Sequence, residues 1–216
     1  MIVGTGMVAE AMKSIAKDVV IFAAGESNSR CIDDEHFARE RRLLSDVRDE
    51  RLLVYFSTIS VESDQQTPYM KHKLAMEELV RAGPHLILRL PNLAGPNQAA
   101  GQLIPSLVDQ IRRGDITIHK GASRDILDVA DVCQIVIQLL EVCRNDTIDV
   151  LSGYYISVED IVNFLAQLLN TSPRIRYVPS AAYPEASVSK LDSLIDLSRY
   201  GFGPDYYKKV LKKYVQ

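Results

Sequence analysis

Short apolar runs stand at 1–3, 19–24, 52–56 and 85–90, and each is closed by glycine, a hydroxyl residue or proline. The run at 19–24 is apolar throughout, as expected of a strand buried on both faces. Helical spacing fills the gaps between runs. Val8, Met12 and Ile15 recur at helical intervals after Gly4-Thr5-Gly6. Residues 33–51 are dense in both charge signs, including Arg39, Glu40, Arg41, Arg42, Asp46, Arg48, Asp49 and Glu50. They predict a solvated helix face laced with ion pairs. Thr67 and Pro68 fit the N-cap and first residue of a helix reaching about residue 81, ended by Gly83-Pro84. Strand and helix alternate over the first hundred residues, which predicts a parallel sheet covered on both faces.

The second half changes character. Helical patterns run over 103–113, 129–143, 157–169 and 206–214, with short strands at 116–118 and 148–151. Ser157 stands at an N-cap position, with Asp160 in the first turn. Lys208, Lys209, Lys212 and Lys213 predict a solvated C-terminal helix face. No internal repeat or low-complexity segment interrupts the chain.

Composition narrows the function classes. The 216 residues carry 47% apolar and 25% charged side chains, with a net charge of -3. That describes a soluble globule of one domain, or one plus an appendage. Slight acidity argues against nucleic acid as partner, because phosphate neutralisation needs a basic face. No apolar run reaches the roughly 20 residues that span a bilayer, and no basic segment followed by an apolar stretch suggests a secretory signal. Cys31, Cys133 and Cys143 leave one thiol unpaired under any pairing. Cys133 and Cys143 on one helix would stand roughly 15 Å apart, too far for a disulfide. Reduced thiols and a cytoplasmic location are the expectation.

Two local patterns carry chemistry. Gly4-Thr5-Gly6-Met7-Val8-Ala9 is G-x-G-x-x-A between a strand and a helix. Glycines there allow a sharp turn and close approach of a pyrophosphate to free helix N–H groups. Tyr69 and Lys73 stand at i, i+4 on one helix face. A free tyrosine has a pKa near 10 and is a poor base at neutral pH; a nearby ammonium favours phenolate. Thr58 or Ser57, eleven or twelve residues upstream, could orient a substrate oxygen. Asp33-Asp34-Glu35-His36 could suggest a metal, but acids at a helix start suit the dipole, and no metal site is expected. His72, His85 and His119 have no partners at ligand spacing. Cys31 reads as an ordinary half-buried thiol.

These residues resemble the extended short-chain dehydrogenase/reductase superfamily, in its NAD-dependent epimerase/dehydratase branch. The glycine segment is similar to that family's dinucleotide loop in a shortened form. Residues 18–24 resemble its fourth strand, which ends in paired alanines (here Ala23 and Ala24) beside the cofactor. Phe56-Ser57-Thr58 resembles the fifth-strand end, and Tyr69 with Lys73 matches the catalytic pair. Arg89-Leu90-Pro91-Asn92-Leu93-Ala94-Gly95-Pro96 is similar to the R-x-x-N-x-x-G-P segment. Residues 124–132, opening with Arg124-Asp125, are similar to the R-D-F-x-x-V-x-D segment, and 148–158 to the late strand–turn–helix with its Ser-Val helix start.

The resemblance implies a Rossmann-like α/β fold with helices on both faces and fewer strands than usual. A dinucleotide-binding core would occupy 1–100 and a small α/β substrate-binding part most of 101–216, with some elements returning to the core. It implies an NAD(P)-dependent oxidoreductase, epimerase or dehydratase acting on a nucleotide sugar. Tyr69, Lys73, Thr58 and Ser57 would be catalytic. Gly4, Gly6, Met7, Ala23, Ala24 and Lys73 would meet NAD or NADP, and Asn92 and Arg124 the substrate. A homodimer built on the helices at 33–51 and 68–81 is also implied. The alternative is a reduced family member with weak or no dinucleotide binding, acting as a cofactor-independent isomerase or a regulatory partner.

One departure stands out. Only about nine residues separate Ala9 from Val19, where the family has two further strands and their helices. If the strand at 19–24 sits beside the first strand in the fourth-strand position, the strand-order reversal that forms the dinucleotide crevice disappears. Right-handed crossover would then move the first helix to the opposite sheet face. Alternatively that strand takes the second-strand position, and Glu26, twenty residues after Gly6, stands where an acid would meet adenosine ribose.

Overall fold

A computed structural model describes residues 1–15, 18–47, 50–63, 66–179 and 185–215. Arg48 and Asp49, expected on the solvated helix face, lie outside the described residues. In chain order the elements are β1 (Ile2–Val3), α1 (Met7–Ala11), β2 (Val20–Phe22), α2 (Asp34–Ser45), β3 (Leu53–Thr58), α3 (Pro68–Val80), β4 (His85–Leu90) and β5 (Asn92–Ala94). There follow α4 (Leu103–Arg112), β6 (Asp115–His119), β7 (Ser123–Arg124), β8 (Ile126–Asp128), α5 (Val129–Val142), β9 (Asp146–Asp149) and β10 (Ile156–Ser157). The last are α6 (Val158–Leu168), β11 (Arg174–Val178), α7 (Ser189–Leu194) and α8 (Tyr206–Tyr214).

The main sheet has the order β1-β2-β3-β4-β9, all pairs parallel. Alternate strand residues face opposite layers, which explains the unbroken apolar runs. Ile21, Val54, Phe56, Leu86 and Leu88 point into one core with α1 and α5. Phe22, Tyr55 and Ile87 point into the other with Met76 and Val80 of α3, flanked by Leu43 and Leu44 of α2. Each such fully buried side chain contributes about 2 kcal/mol relative to exposure. Thr67 caps α3 by accepting from the Met70 N–H, with Pro68 in the first turn, as the sequence predicts.

β2 lies between β1 and β3, so the fourth-strand assignment holds and no strand order reverses at β1. The expected change of face does not occur. Met12 of the turn after α1 is fully buried in the same core as α5, and the Cys133 thiol donates to the Ala11 carbonyl at 3.0 Å. α1 is thus opposite α2 and α3, although all three crossovers step the same way along the sheet. The β1–α1–β2 crossover therefore has the opposite hand to its neighbours. The right-handed preference reflects how a twisted strand feeds a packed helix. Here the helix is only five residues long, with Met7 and Ala9 buried, and it packs on α5 with Met12 buried in the shared core. Helix α1 also ends earlier than the spacing of Val8, Met12 and Ile15 predicts.

Beyond β4, Pro91 breaks the ladder and the chain moves into smaller sheets above the strand ends. β5 pairs with β8 and β6 with β11 in parallel, and β7 with β10 antiparallel. These short pairings, and α7, have little period to read in the sequence. Among the described residues no helix is long and apolar enough to cross a membrane.

Candidate active site

The carboxyl ends of β1 to β4 open onto a cavity of about 810 Å³. Gly4, Gly6 and Met7 form one wall, beside Ala23 and Ala24 at the end of β2. Gly4 has φ +125, and a Cβ there would lie 2.4 Å from the Ala23 carbonyl oxygen. Only glycine lets the bend press onto β2 in this way. Gly6 has nothing within 4 Å of its would-be Cβ, so its face stays open to the cavity. Gly95, from the segment after β4, packs where a Cβ would meet Met7 Sδ at 2.5 Å. Two glycine motifs far apart in sequence therefore clamp one corner.

Thr58, Ser57, Tyr69 and Lys73 line the same cavity. Thr58 ends β3, and its Oγ1 accepts from the Ser60 N–H at 3.2 Å while donating to the Ser60 hydroxyl. Ser57 is committed elsewhere: its hydroxyl donates to Glu77 at 2.6 Å, in a buried cluster with Arg89. Tyr69 is 5% exposed and packs with Cys31 and Phe37. Asn92 and Arg124 line the same cavity. The Asn92 side chain donates to the Asp125 carbonyl, and the Arg124 guanidinium donates to the Ser123 carbonyl at 2.6 Å. All residues expected at the site thus reach one cavity.

The Lys73 ammonium is held on every side. It donates to Tyr55 Oη at 3.0 Å, Glu40 Oε1 at 3.1 Å and the Phe56 carbonyl at 3.3 Å. An ammonium has three protons, and all three have protein acceptors. Glu40 is the centre of this network. Its Oε1 also accepts from Tyr55 at 2.7 Å; its Oε2 takes His72 Nε2 at 2.9 Å and the Glu26 N–H at 2.7 Å. Burial pushes the Glu40 carboxyl up, but the Lys73 charge and these hydrogen bonds outweigh it and hold it down at about 2. Burial and the facing carboxylate drive the Tyr55 phenol well above its usual range, so it stays a neutral donor. Gly25 packs closely here too: a Cβ would sit 2.7 Å from Lys73 Nζ and 2.8 Å from Glu40 Oε1, so a larger residue would push on the pair.

Glu40 is the residue the charge pattern hides. A solvated face is expected of α2, yet Glu40 is 1% exposed. The signal lies in spacing: Phe37, Glu40 and Leu44 fall at i, i+3, i+7, the inward stripe of a helix. His72 stacks on Phe37 with centroids 4.4 Å apart, and its Nδ1 has no partner among the described residues.

A parallel α/β sheet with a glycine bend after its first strand, opening onto a cavity at the strand ends, defines the class of nucleotide-binding α/β folds. The sequence pattern of the NAD dependent epimerase/dehydratase family matches residues 5–150. The chain belongs to that family. No curated protein matches the chain. Solved structures share the fold. RMD from Pseudomonas aeruginosa, solved with NADPH, is 21% identical with TM-score 0.70, over 90% of this chain and 79% of that one. A dTDP-glucose 4,6-dehydratase from Bacillus anthracis with NAD is 19% identical with TM-score 0.70, over 98% and 77%. A UDP-N-acetylglucosamine 4-epimerase from Methanobrevibacter ruminantium, with UDP-N-acetylmuramic acid, is 18% identical with TM-score 0.66, over 91% and 75%.

The cavity fits one half of a dinucleotide better than the other. The open face of Gly6 and the free volume beside Thr58 and Tyr69 suit a phosphate-linked nicotinamide ribose. On the far side of β1 no described strand continues the sheet, so an adenosine lacks the floor that strand reversal provides.

Proposed function

We propose that this protein is an NAD(P)-dependent enzyme of the epimerase, dehydratase or reductase type acting on a nucleotide sugar. What supports the reading is a single observation: Tyr69, Thr58 and Lys73 share one cavity with the glycine bend. A bound NAD(P) would supply the hydride acceptor and donor. Tyr69 Oη takes or returns the hydroxyl proton of the reacting carbon. Thr58 Oγ1 holds the same oxygen by a hydrogen bond. Lys73, one turn along α3, acts through its charge, since its three protons already have acceptors. Arg124 offers a guanidinium fork to the sugar nucleotide's diphosphate, with Asn92 beside it. Residues 1–100 carry the cofactor side and most of 101–216 the sugar side. The outer faces of α2 and α3 would pair two copies, and free thiols fit a cytoplasmic location.

The test is a fluorescence titration with NADH and NADPH, followed by a screen of UDP- and dTDP-sugars. Micromolar cofactor binding is expected, with turnover abolished and binding retained in Tyr69→Phe. A second reading is favoured by the unreversed strand order and the fully engaged Lys73: a member that uses Tyr69 without hydride transfer, or only binds a sugar nucleotide. Absence of NADH and NADPH binding up to millimolar concentration, with sugar-nucleotide binding intact, would select it.

A further inference from the structure

Beside this cavity lies a cluster that the proposed chemistry does not use. A carboxylate oxygen of Glu26, the Cys31 sulfur and a ring nitrogen of His36 all lie within 4.8 Å of one another. We propose that these three residues bind a zinc-class divalent cation, leaving one coordination position open to solvent. The proposal does not depend on the catalytic reading above.

The donor set argues for the ion. Thiolate, imidazole and carboxylate together suit Zn²⁺ rather than Mg²⁺ or Ca²⁺, which take oxygen. Two anionic ligands balance a charge of +2. Tetrahedral bonds of about 2.0–2.3 Å place ligand atoms about 3.3–3.8 Å apart. Glu26 Oε2 and His36 Nδ1, now 2.7 Å apart, need only part by about an ångström to admit a metal.

Each ligand is also oriented from behind. Glu26 Oε1 accepts from the Ser27 and Asn28 N–H groups at 2.8 and 2.7 Å, which aims Oε2 at His36. The Cys31 N–H donates to the Asn28 carbonyl at 2.9 Å. Its thiol is buried against Phe37 and Tyr69, with a dry wall on one side. His36 turns Nδ1 to Glu26 and Nε2 toward Asp33 Oδ2, 3.9 Å away. A carboxylate behind a ligating imidazole is the usual outer partner of a zinc-bound histidine. Asp33 is itself fixed, because its Oδ1 caps α2 by accepting from the Glu35 N–H at 2.8 Å. The His36 ring is 61% exposed, which leaves access for the ion and for a fourth, water ligand.

The experiment uses the full chain stripped with EDTA and titrated with Zn²⁺, then with Co²⁺ as a spectroscopic probe. One Zn²⁺ per chain is expected to survive dialysis, and Co²⁺ should give an intense thiolate-to-metal band in the near ultraviolet. Cys31→Ser should remove that band. His36→Ala and Glu26→Gln should each weaken Zn²⁺ binding at least about tenfold, and Asp33→Asn, which keeps a capping oxygen, by up to about tenfold. His36 is exposed, so its variant folds, as circular dichroism would verify. Failure to retain stoichiometric metal overturns the site. So does a cobalt band that persists in Cys31→Ser, or a Zn²⁺ affinity unchanged in both His36→Ala and Glu26→Gln.

Discussion

Lys73 Nζ lies 3.1 Å from Glu40 Oε1, and both side chains are almost wholly buried, at 3% and 1% exposure. The pair ties α2 to α3 beneath the cavity. A buried ion pair contributes little net stability, but removing one partner strands the other charge at a cost of about 3–5 kcal/mol. Glu40→Gln and Lys73→Met are each expected to destabilise by that order. The double variant should lose clearly less than the sum, because no charge is left alone. Urea unfolding of the four proteins checks this; additive losses would mean that the two groups are not coupled.

The two glycines of the bend differ in what they protect. Gly4→Ala forces a side chain onto the Ala23 carbonyl at φ +125, and the conformation alone costs about 1–3 kcal/mol. Gly6→Ala meets nothing within 4 Å, so the fold should stay within about 0.5 kcal/mol of the parent. Its methyl group instead occupies the face offered to a phosphate. NADH or NADPH affinity should fall at least about tenfold in Gly6→Ala with the melting temperature unchanged, read by fluorescence titration and thermal denaturation.

Much of the fold is legible in the sequence. Apolar runs and the Thr67-Pro68 start marked the main strands and α3, because burial on both faces and capping leave strong local signatures. The motif residues line one cavity, although they come from strand ends of the main sheet, from α3 and from the smaller sheets. Other features depended on contacts distant in sequence. Glu40 was masked by its charged neighbours; its acceptors' partners come from β3 and α3. The face of α1 followed from packing on α5, 120 residues later, against a handedness rule that a five-residue helix escapes.

Ser57 and Thr58 are adjacent but do different work. The Ser57 hydroxyl satisfies the fully buried Glu77, so Ser57→Ala should cost about 1–2 kcal/mol of stability. Turnover per folded molecule should persist. Thr58→Val keeps shape and loses the hydroxyl, so activity should fall about a hundredfold, while loss of its bond to the Ser60 N–H costs about 1 kcal/mol of stability. Steady-state rates alongside chemical unfolding separate the two; equal rate losses would make Ser57 a second oxygen ligand.

Asp125 gives the fold a pH dependence whose sign can be worked out. It is 1% exposed; its Oδ2 accepts from the Ser152 hydroxyl and the Gly153 N–H, while Oδ1 has no partner among the described residues. Burial raises its pKa from 3.8 to about 6, against those hydrogen bonds. Between these values the folded chain holds a proton that the unfolded chain has released. The contribution is therefore complete below about pH 4 and is lost as pH rises through 6, by on the order of 2–3 kcal/mol. Asp149, also raised to about 6 by burial and the nearby Glu62 charge, pulls the same way. Asp125→Asn keeps an acceptor for Ser152 and Gly153 but cannot titrate. Whatever its absolute stability, its unfolding free energy should vary less between pH 4 and pH 7 than the parent's. An unchanged slope would mean that Asp125 is ionised in the folded protein throughout, with a donor reaching Oδ1.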